Sequence, residues 1–553
     1  MRTRNSTLYL FLLTFWLIFI APNSSLCQNK NALKFNISFP SQIHPEEITG
    51  RAYVIISKTD KREPRFQTGY TGVPFWGKNI YVLKPGEDVV IDEEVFGFPL
   101  KSIKDIPPGE YYLQGFINIY TEFKRSDGHT LWLHNDQWEG QQWNRSPGNF
   151  YSDVKKVKID PSKNKTIKLY CKNVIPPIEL PADTKWIKRI KFESKILTEF
   201  WGQPIYLGAT ILLPKDYDNH PDVFYPVNYI QGHFSLRAPH GFRSEEPEES
   251  NRWARRGYEF YQFWTSDSCP RMISVTFQHP CPYYDDSYAV NSPNTGPYGD
   301  AIMKELIPRI EEEFRIIRKP YARALSGGST GGWEALALQI FHPDFFSGTW
   351  ALCPDAVDFR YFQIVNIYKD KNAYFTAHEW FKVDRPGYRL TDGNIRFTMQ
   401  NENHFELAIG DKSRSGGQWD IWEAVYSPMG EDGYPKRIWD KQTGVIDSSV
   451  AGEWKKYDLH LYLKENWSKI GDKLKGKLHI YTGSMDSFYL NNAVVLLEGF
   501  LEDTKEPYYD GAVEYGKRKP HCWGPRGAEL VNLIADHVTK NTPAGEDNSK
   551  WKY

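Results

Sequence analysis

Gly327-Gly328-Ser329-Thr330-Gly331 is the segment of this chain best placed to do chemistry. A serine inside a Gly-x-Ser-x-Gly pattern can occupy a sharp strand-to-helix turn that exposes its hydroxyl, because only small neighbours let the backbone pack around a strained residue. Arg323-Ala-Leu325 before it and Trp333-Glu-Ala-Leu-Ala-Leu338 after it supply a strand-like and a helix-like flank. The hydroxyl would then sit at a helix N-terminus, whose partial positive charge favours an oxyanion. The bare pattern is common in glycine-rich loops; its setting between the two flanks makes Ser329 a candidate nucleophile.

A serine nucleophile needs a base and an orienting acid, and in a sheet-based hydrolase these follow in the order acid, then histidine, at the ends of later strands. Two acids qualify. Asp486 follows Leu478-His-Ile-Tyr-Thr-Gly483 and precedes a helix-like segment, whereas Asp355 follows Gly348-Thr-Trp-Ala-Leu352. Asp486 is the preferred acid, with helix capping as its competing role, and Asp355 is left as a loop or capping residue. Of 14 histidines, His521 in Lys519-Pro-His-Cys-Trp523 alone lies after the last strand-like segment and before the terminal helix. It is the expected general base, and His537, inside that helix, is the poorer choice. For an oxyanion hole, the Thr330 amide needs a second donor. The turn after Pro226-Val-Asn-Tyr-Ile230 offers the amide of His233, whose side chain is not needed for that role.

These residues need a scaffold of strands alternating with helices. Strand-like segments recur at 208–213, 226–230, 272–277, 322–325, 348–352, 477–481 and 511–515. Helical patterns lie at 298–315, 332–341, 492–502 and 527–540. Such alternation predicts a mostly parallel sheet covered on both faces. Ile302, Leu306, Ile310 and Phe314 mark one face of the helix over 298–315, and Pro308 predicts a kink there. Residues 369–457 interrupt the alternation and carry Trp380, Trp419, Trp422, Trp439 and Trp454, which marks them as a cap-like insertion.

The region over 28–172 reads differently. Short apolar runs such as Arg51–Ser57, Asn79–Leu83, Glu110–Tyr120 and Thr166–Tyr170 are separated by Pro-Gly turns and predict an antiparallel, immunoglobulin-like β-sandwich. A linker at 173–183 with three prolines separates it from the hydrolase region, 184–541. A polar tail at 542–553 is expected to be disordered. At the start, Met1-Arg-Thr-Arg4, an apolar run from Leu8 to Ala21 and a polar stretch to Cys27 form a secretory signal over 1–27, with cleavage before Gln28. That implies a secreted or periplasmic protein with no membrane span after cleavage. A retained anchor or a lipid on Cys27 is the competing reading, the latter weakened by Leu26.

The chain has 553 residues, enough for two domains, and 68 Lys plus Arg against 69 Asp plus Glu. A net charge of −1 argues against nucleic acid and anionic membranes as partners. Without Cys27, five cysteines remain, an odd and sparse set that is not a disulfide framework. No Cys-x-x-Cys pair or His-x-x-x-His pattern offers a structural metal site.

Tyr225-Pro-Val-Asn-Tyr-Ile-Gln-Gly-His233, Ser326-Gly-Gly-Ser-Thr-Gly-Gly-Trp333, Tyr481-Thr-Gly-Ser-Met-Asp486 and His521-Cys-Trp523 together resemble the Putative esterase family of α/β-hydrolases. That family includes enterochelin, feruloyl and acetylxylan esterases, S-formylglutathione hydrolase and mycolyltransferases. The resemblance covers about 185–540. It departs at Gln231-Gly232, where the family commonly has His-Gly, and in the 157 residues between Ser329 and Asp486. It implies an α/β-hydrolase fold, a two-step reaction through an acyl-enzyme on Ser329, no cofactor, and a small-molecule or saccharide ester as substrate, feruloyl-type esters included. A peptidase or amidase and an acyltransferase on the same fold stay open. So does a carbohydrate-binding protein with a degenerate hydrolase domain, motivated by Trp132, Trp138, Trp143 and the tryptophans of the insertion, for which core packing is the competing role.

Overall fold

The computed structural model describes residues 32–553 except 136, 137, 139, 141, 164, 249, 284 and 285. The expected signal segment therefore lies outside the described residues. Among those described, no helix is long and apolar enough to cross a membrane.

In the N-terminal region, strands such as Thr166–Tyr170 bury every second residue, the period-2 pattern of a sheet with one face on a core. Thr166–Tyr170, Lys34–Ser38 and Val89–Ile91 form a three-stranded sheet, and Ile48–Ser57, Phe75–Leu83 and Gly109–Ile119 lie in a seven-stranded one. One buried cluster takes side chains from both, including Phe35, Ile91, Val54 and Leu113. The expectation of purely antiparallel pairing needs correction, because Lys34–Ser38 runs parallel to Thr166–Tyr170. The two segments stand at opposite ends of the region, so no hairpin joins them and antiparallel pairing is not imposed.

The second region is built on an eight-stranded mixed sheet. Its strands are β1 (Ile187–Glu193), β2 (Tyr206–Leu212), β3 (Val227–Gln231), β4 (Ile273–Gln278), β5 (Arg323–Gly328), β6 (Gly348–Leu352), β7 (Leu478–Gly483) and β8 (Ala512–Gly516), in the order β1-β2-β4-β3-β5-β6-β7-β8. The β1-β2 and β2-β4 pairs are antiparallel and all later pairs parallel. Central strands β5 and β6 are buried along nearly their whole length, as strands covered on both faces must be. Helices α1 (Arg252–Trp264), α2, α3 (Thr330–Phe341), α4 (Met399–Ile409), α5 (Gln418–Tyr426), α6 (Leu459–Leu474), α7 (Asn491–Asp503) and α8 (Ala528–Lys540) accompany the sheet. The whole is α/β-hydrolase-like.

Helix α2 runs as Tyr298–Ala301, a π-helical stretch Ile302–Leu306, and Ile307–Glu313. The backbone stays helical through Pro308, and the irregularity expected there takes the form of the π-helical stretch just before it. Proline has no N–H and its ring crowds the carbonyl four residues back, and the wider preceding turn relieves both constraints. The C-terminal tail also departs from expectation. Trp551 is buried, and the Tyr553 hydroxyl meets that of Tyr225 at 2.7 Å, while its ring stacks on His220. Two aromatic residues in a polar segment suffice to dock it.

The insertion is a packed unit. Trp419, Trp422, Trp439 and Trp454 are fully buried, so these four are core and not sugar platforms; Trp380 is 87% exposed. Helix α4 also packs on the N-terminal region: Ala408 and Ile409 join a cluster with Tyr53, Phe75 and Phe116, and the Tyr53 hydroxyl donates to the Ile409 carbonyl. Between α4 and α5 lies a buried charge cluster. Lys441 Nζ stands 3.0 Å from Asp420, 3.2 Å from Glu406 and 3.9 Å from Glu423. Glu406 also accepts from the Trp419 and Asp420 amides at the start of α5, where the helix dipole favours an anion.

Lys441 shares these carboxylates with Arg437, which also acts on Asp420 and Glu423. Among the described residues Lys441 alone stands within 3.9 Å of all three, so removing it would leave buried carboxylates under-compensated. Lys441→Met is therefore expected to lower unfolding stability by about 3–5 kcal/mol. A guanidinium unfolding midpoint equal to that of the wild type would contradict this account.

Candidate active site

Ser329 is the first constraint to examine. It lies between β5 and α3 at φ 58° and ψ −123°, a conformation that non-glycine residues rarely adopt. The surrounding backbone holds it there. Its N–H donates to the Leu352 carbonyl at the end of β6, and its carbonyl accepts from the amides of Gly332, Trp333 and Asp355. The glycine pattern has a direct steric reason: a Cβ on Gly331 would lie 2.1 Å from the Gln231 carbonyl. The start of α3 thus sits directly on the end of β3, which brings the turn carrying His233 beside Thr330.

Asp486 and His521 come from the ends of later strands. His521 Nδ1 is 2.7 Å from Asp486 Oδ2, and its Nε2 is 2.9 Å from Ser329 Oγ. With the Nδ1 proton donated to Asp486, Nε2 is left to accept from the serine hydroxyl. The approach depends on Gly483 at the end of β7, where a Cβ would lie 2.2 Å from the carbonyls of both Lys519 and Pro520. Asp486 is fully buried, and its other oxygen accepts from the amides of Phe488 and Leu490. Both roles considered for it, ring partner and cap, are therefore filled at once. Arg389 of the insertion fastens this loop by donating to the Asp486 carbonyl and to Asn491 Oδ1.

Burial disfavours the charged form of His521, but the Asp486 carboxylate, with Cys522 beside it, outweighs this and raises the imidazole well above its ordinary value. The ring also meets Phe488 edge-on, 5.1 Å between centroids, and Tyr388 meets Phe488 at 5.0 Å.

The place of Asp355 corrects the sequence reading. It is neither a cap nor a bystander: Oδ1 lies 3.3 Å from Ser329 Oγ, and Oδ2 accepts from Tyr288 at 2.7 Å and from Thr330 Oγ1 at 3.1 Å. Burial raises its carboxyl above the ordinary range. Tyr288 in turn accepts from Trp422 Nε1 at 2.6 Å, and Gln418 at the start of α5 reaches the same group. His233 also does more than the sequence implied, its ring meeting Asp286 at 2.9 Å and Thr330 Oγ1 at 3.4 Å. No spacing in the sequence marks Asp286, Tyr288 or Gln418, because the first two reach the surroundings of the serine from the loop before α2 and the third from the insertion.

Cys353, His521 and Cys522 form the one group among the described residues with metal-ligand atoms close together. Their arrangement does not fit a zinc ion. Two thiolates on tetrahedral zinc at about 2.3 Å stand about 3.8 Å apart, whereas these sulfurs are 2.7 Å apart and the His521 Nε2 atom faces Ser329. A groove of about 1520 Å³ along α1 meets the His521 loop only at Arg526, Gly527 and Ala528, and none of Ser329, Asp486 and His521 lines it.

Residues 207–458 match the family described as Putative esterase. The matched segment holds His233, Ser329, Thr330 and Asp355 and ends before Asp486 and His521. No curated protein matches the chain. Among solved structures, a ferulic acid esterase is similar at 15% identity and a TM-score of 0.36, over 64% of this chain and 98% of that one. An S-formylglutathione hydrolase from Agrobacterium tumefaciens is similar at 12% identity and a TM-score of 0.33, over 65% of this chain and 96% of that one. The ferulic acid esterase Fae1A from Anaeromyces mucronatus gives 14% identity and a TM-score of 0.28, over 64% and 90%. At such values these likenesses set neither substrate nor mechanism. The family match spans the strand, turn and helix around Ser329, so residues 207–458 are similar to the Putative esterase family, and the activity this similarity supports is that of a carboxylic ester hydrolase.

Proposed function

We propose that this esterase works through an acyl-enzyme on Ser329, with His521 as general base, Asp486 as its orienting acid, and the amides of His233 and Thr330 as the oxyanion hole. The observation that carries the reading is the line Ser329 Oγ, His521, Asp486, with contacts of 2.9 and 2.7 Å on a serine held at positive φ. His521 Nε2 takes the hydroxyl proton as Oγ attacks the ester carbonyl. The carbonyl oxygen becomes an oxyanion at the start of α3, and collapse expels the alcohol, which receives the proton from His521. Water, deprotonated by the same nitrogen, then attacks the acyl carbon and releases the acid and Ser329.

An ester of a planar aromatic acid with a saccharide is the proposed substrate. The support is the Phe488 ring, set edge-on to His521, with Tyr388 edge-on behind it, an aromatic corner against which such an acyl group could pack. On the same reading the N-terminal region is a β-sandwich, supported by the buried cluster its two sheets share, and the protein is exported through the signal expected at 1–27.

Ser329→Ala is expected to abolish fluorophosphonate labelling and to lower kcat/KM by about 10⁴-fold or more; labelling at the wild-type level would refute the nucleophile. Methyl ferulate and p-nitrophenyl acetate should be cleaved while an aminoacyl p-nitroanilide is not, and preferential cleavage of the anilide would favour a peptidase.

The base must be neutral to act, and its folded-state value is raised, so kcat/KM should climb with pH through a limb above the ordinary histidine range near 6.5. Asp486→Asn removes the main charge favouring the imidazolium and should move that limb to lower pH while cutting kcat by about 10⁴-fold. A limb that stays in place in this variant would show that another group titrates.

A further inference from the structure

The cysteines were too few and too scattered for pairing to be read from sequence, yet two of the five described meet beside the candidate nucleophile. Cys171, Cys269 and Cys281 are buried in apolar clusters. Cys353 follows β6 and Cys522 follows His521, both in left-handed conformations, φ 42° and φ 59°. These two turns aim the side chains at each other, and the Cys353 thiol donates to the Cys522 sulfur at 2.7 Å. Cys353 is itself tied to the end of β7 through its N–H and the Tyr481 carbonyl. The Cys522 sulfur lies 3.5 Å from where a Cβ on Gly328 would stand, against the residue preceding Ser329.

We propose that Cys353 and Cys522 are a reversible dithiol–disulfide pair that closes by exchange with a low-molecular-weight disulfide and thereby fastens the His521 loop to the nucleophile turn. Cys522 is the half-buried member and so the point of entry, while Cys353 is fully buried. The hydrogen bond from Cys353 and the neighbouring His521 lower the Cys522 thiol, whereas burial raises that of Cys353. The thiolate is the attacking species. Cys522 attacks one sulfur of the external disulfide, forming a mixed disulfide and expelling one thiolate. Cys353 then loses its proton and attacks the Cys522 sulfur, forming the internal bond and expelling the second. Two protein thiols are oxidised, one external disulfide is reduced to two thiols, and the cysteine protons end on those thiols.

Closure also changes what His521 faces. In the open form the ring meets Asp486 from the β7 loop, Ser329 from the nucleophile turn and Cys353 from the β6 loop, interacts electrostatically with Asp355 of that same loop, and has Cys522, with Arg526 near it, on its own loop. Oxidation removes the Cys522 thiolate, one of the negative charges favouring the imidazolium, so the neutral base becomes available at lower pH. This consequence rests on the role proposed above for His521; the bond itself does not.

The test equilibrates the full chain in glutathione buffers from reduced to oxidised, blocks free thiols, and maps peptides by mass spectrometry. A peptide joining Cys353 to Cys522, opened by dithiothreitol, is expected. Its absence in fully oxidised glutathione, or a Cys269–Cys281 link in its place, overturns the pair. The second arm records the pH profile of p-nitrophenyl acetate hydrolysis before and after reduction. Reduction should move the acid limb up by about one pH unit, and Cys353→Ser should make the profile insensitive to dithiothreitol. A linked peptide with an unmoved profile overturns the coupling to His521. Residual hydrolysis at the wild-type level in Ser329→Ala would sink the proposed mechanism while leaving the mass-spectrometric result to decide the bond.

Discussion

The left-handed conformation at Ser329 is the constraint on which the rest of the site depends. A residue with a Cβ resists this region of backbone space, so the turn persists only because neighbours over-determine it. Leu352 holds its N–H, three amides hold its carbonyl, and the close approach of Gly331 to β3 leaves no room for the turn to relax. The strain is offset by the packing of three adjacent parallel strands, and in return the hydroxyl stands clear of the sheet at the start of α3.

Around this turn the site is assembled from pieces far apart in the chain. His521 and Asp486 arrive from the ends of β7 and β8, Asp355 from the loop after β6, and Tyr288 from the loop before α2. The insertion contributes twice: Gln418 reaches the Tyr288 and Asp355 pair, while Arg389 holds the loop of Asp486. Its position is fixed by the buried cluster of Lys441 with three carboxylates and by the packing of α4 on the N-terminal sheet. The N-terminal region is thus mechanically connected to the site through the α4 and α5 pair, and also through Phe123, Leu131 and Leu133 in the core of the second region and the Trp132 N–H donated to Tyr434. None of its residues touches Ser329, Asp486 or His521 in the contacts described.

Two buried carboxylates serve the serine, Asp355 beside its hydroxyl and Asp486 across the His521 ring, and they differ in what surrounds them. Asp486 is met by a histidine N–H and two backbone amides, an environment rich in donors suited to an anion. Asp355 meets hydroxyls and a side-chain amide in a fully buried pocket, and its carboxyl is raised. The same residue type in the same site is therefore divided into an acceptor for the ring and a group, beside the hydroxyl, that burial pushes toward its neutral form.

By itself the sequence determined what is local or ordered along the chain. The Gly-Gly-Ser-Thr-Gly-Gly pattern dictates the turn through sterics, the alternation of strands and helices dictates a mostly parallel covered sheet, and the strand-end positions of Asp486 and His521 follow because parallel strands gather their C-terminal ends on one edge. Only the tertiary structure decided what depends on contact between distant segments. It set Asp355, Tyr288 and Gln418 around the serine, buried four tryptophans that composition alone could have left as a sugar-binding face, docked the tail through Trp551 and Tyr553, and brought Cys353 against Cys522. None of these leaves a periodic or spacing signal. Each is a side-chain meeting fixed by packing across a hundred residues or more of chain, or by a loop whose path no local propensity dictates.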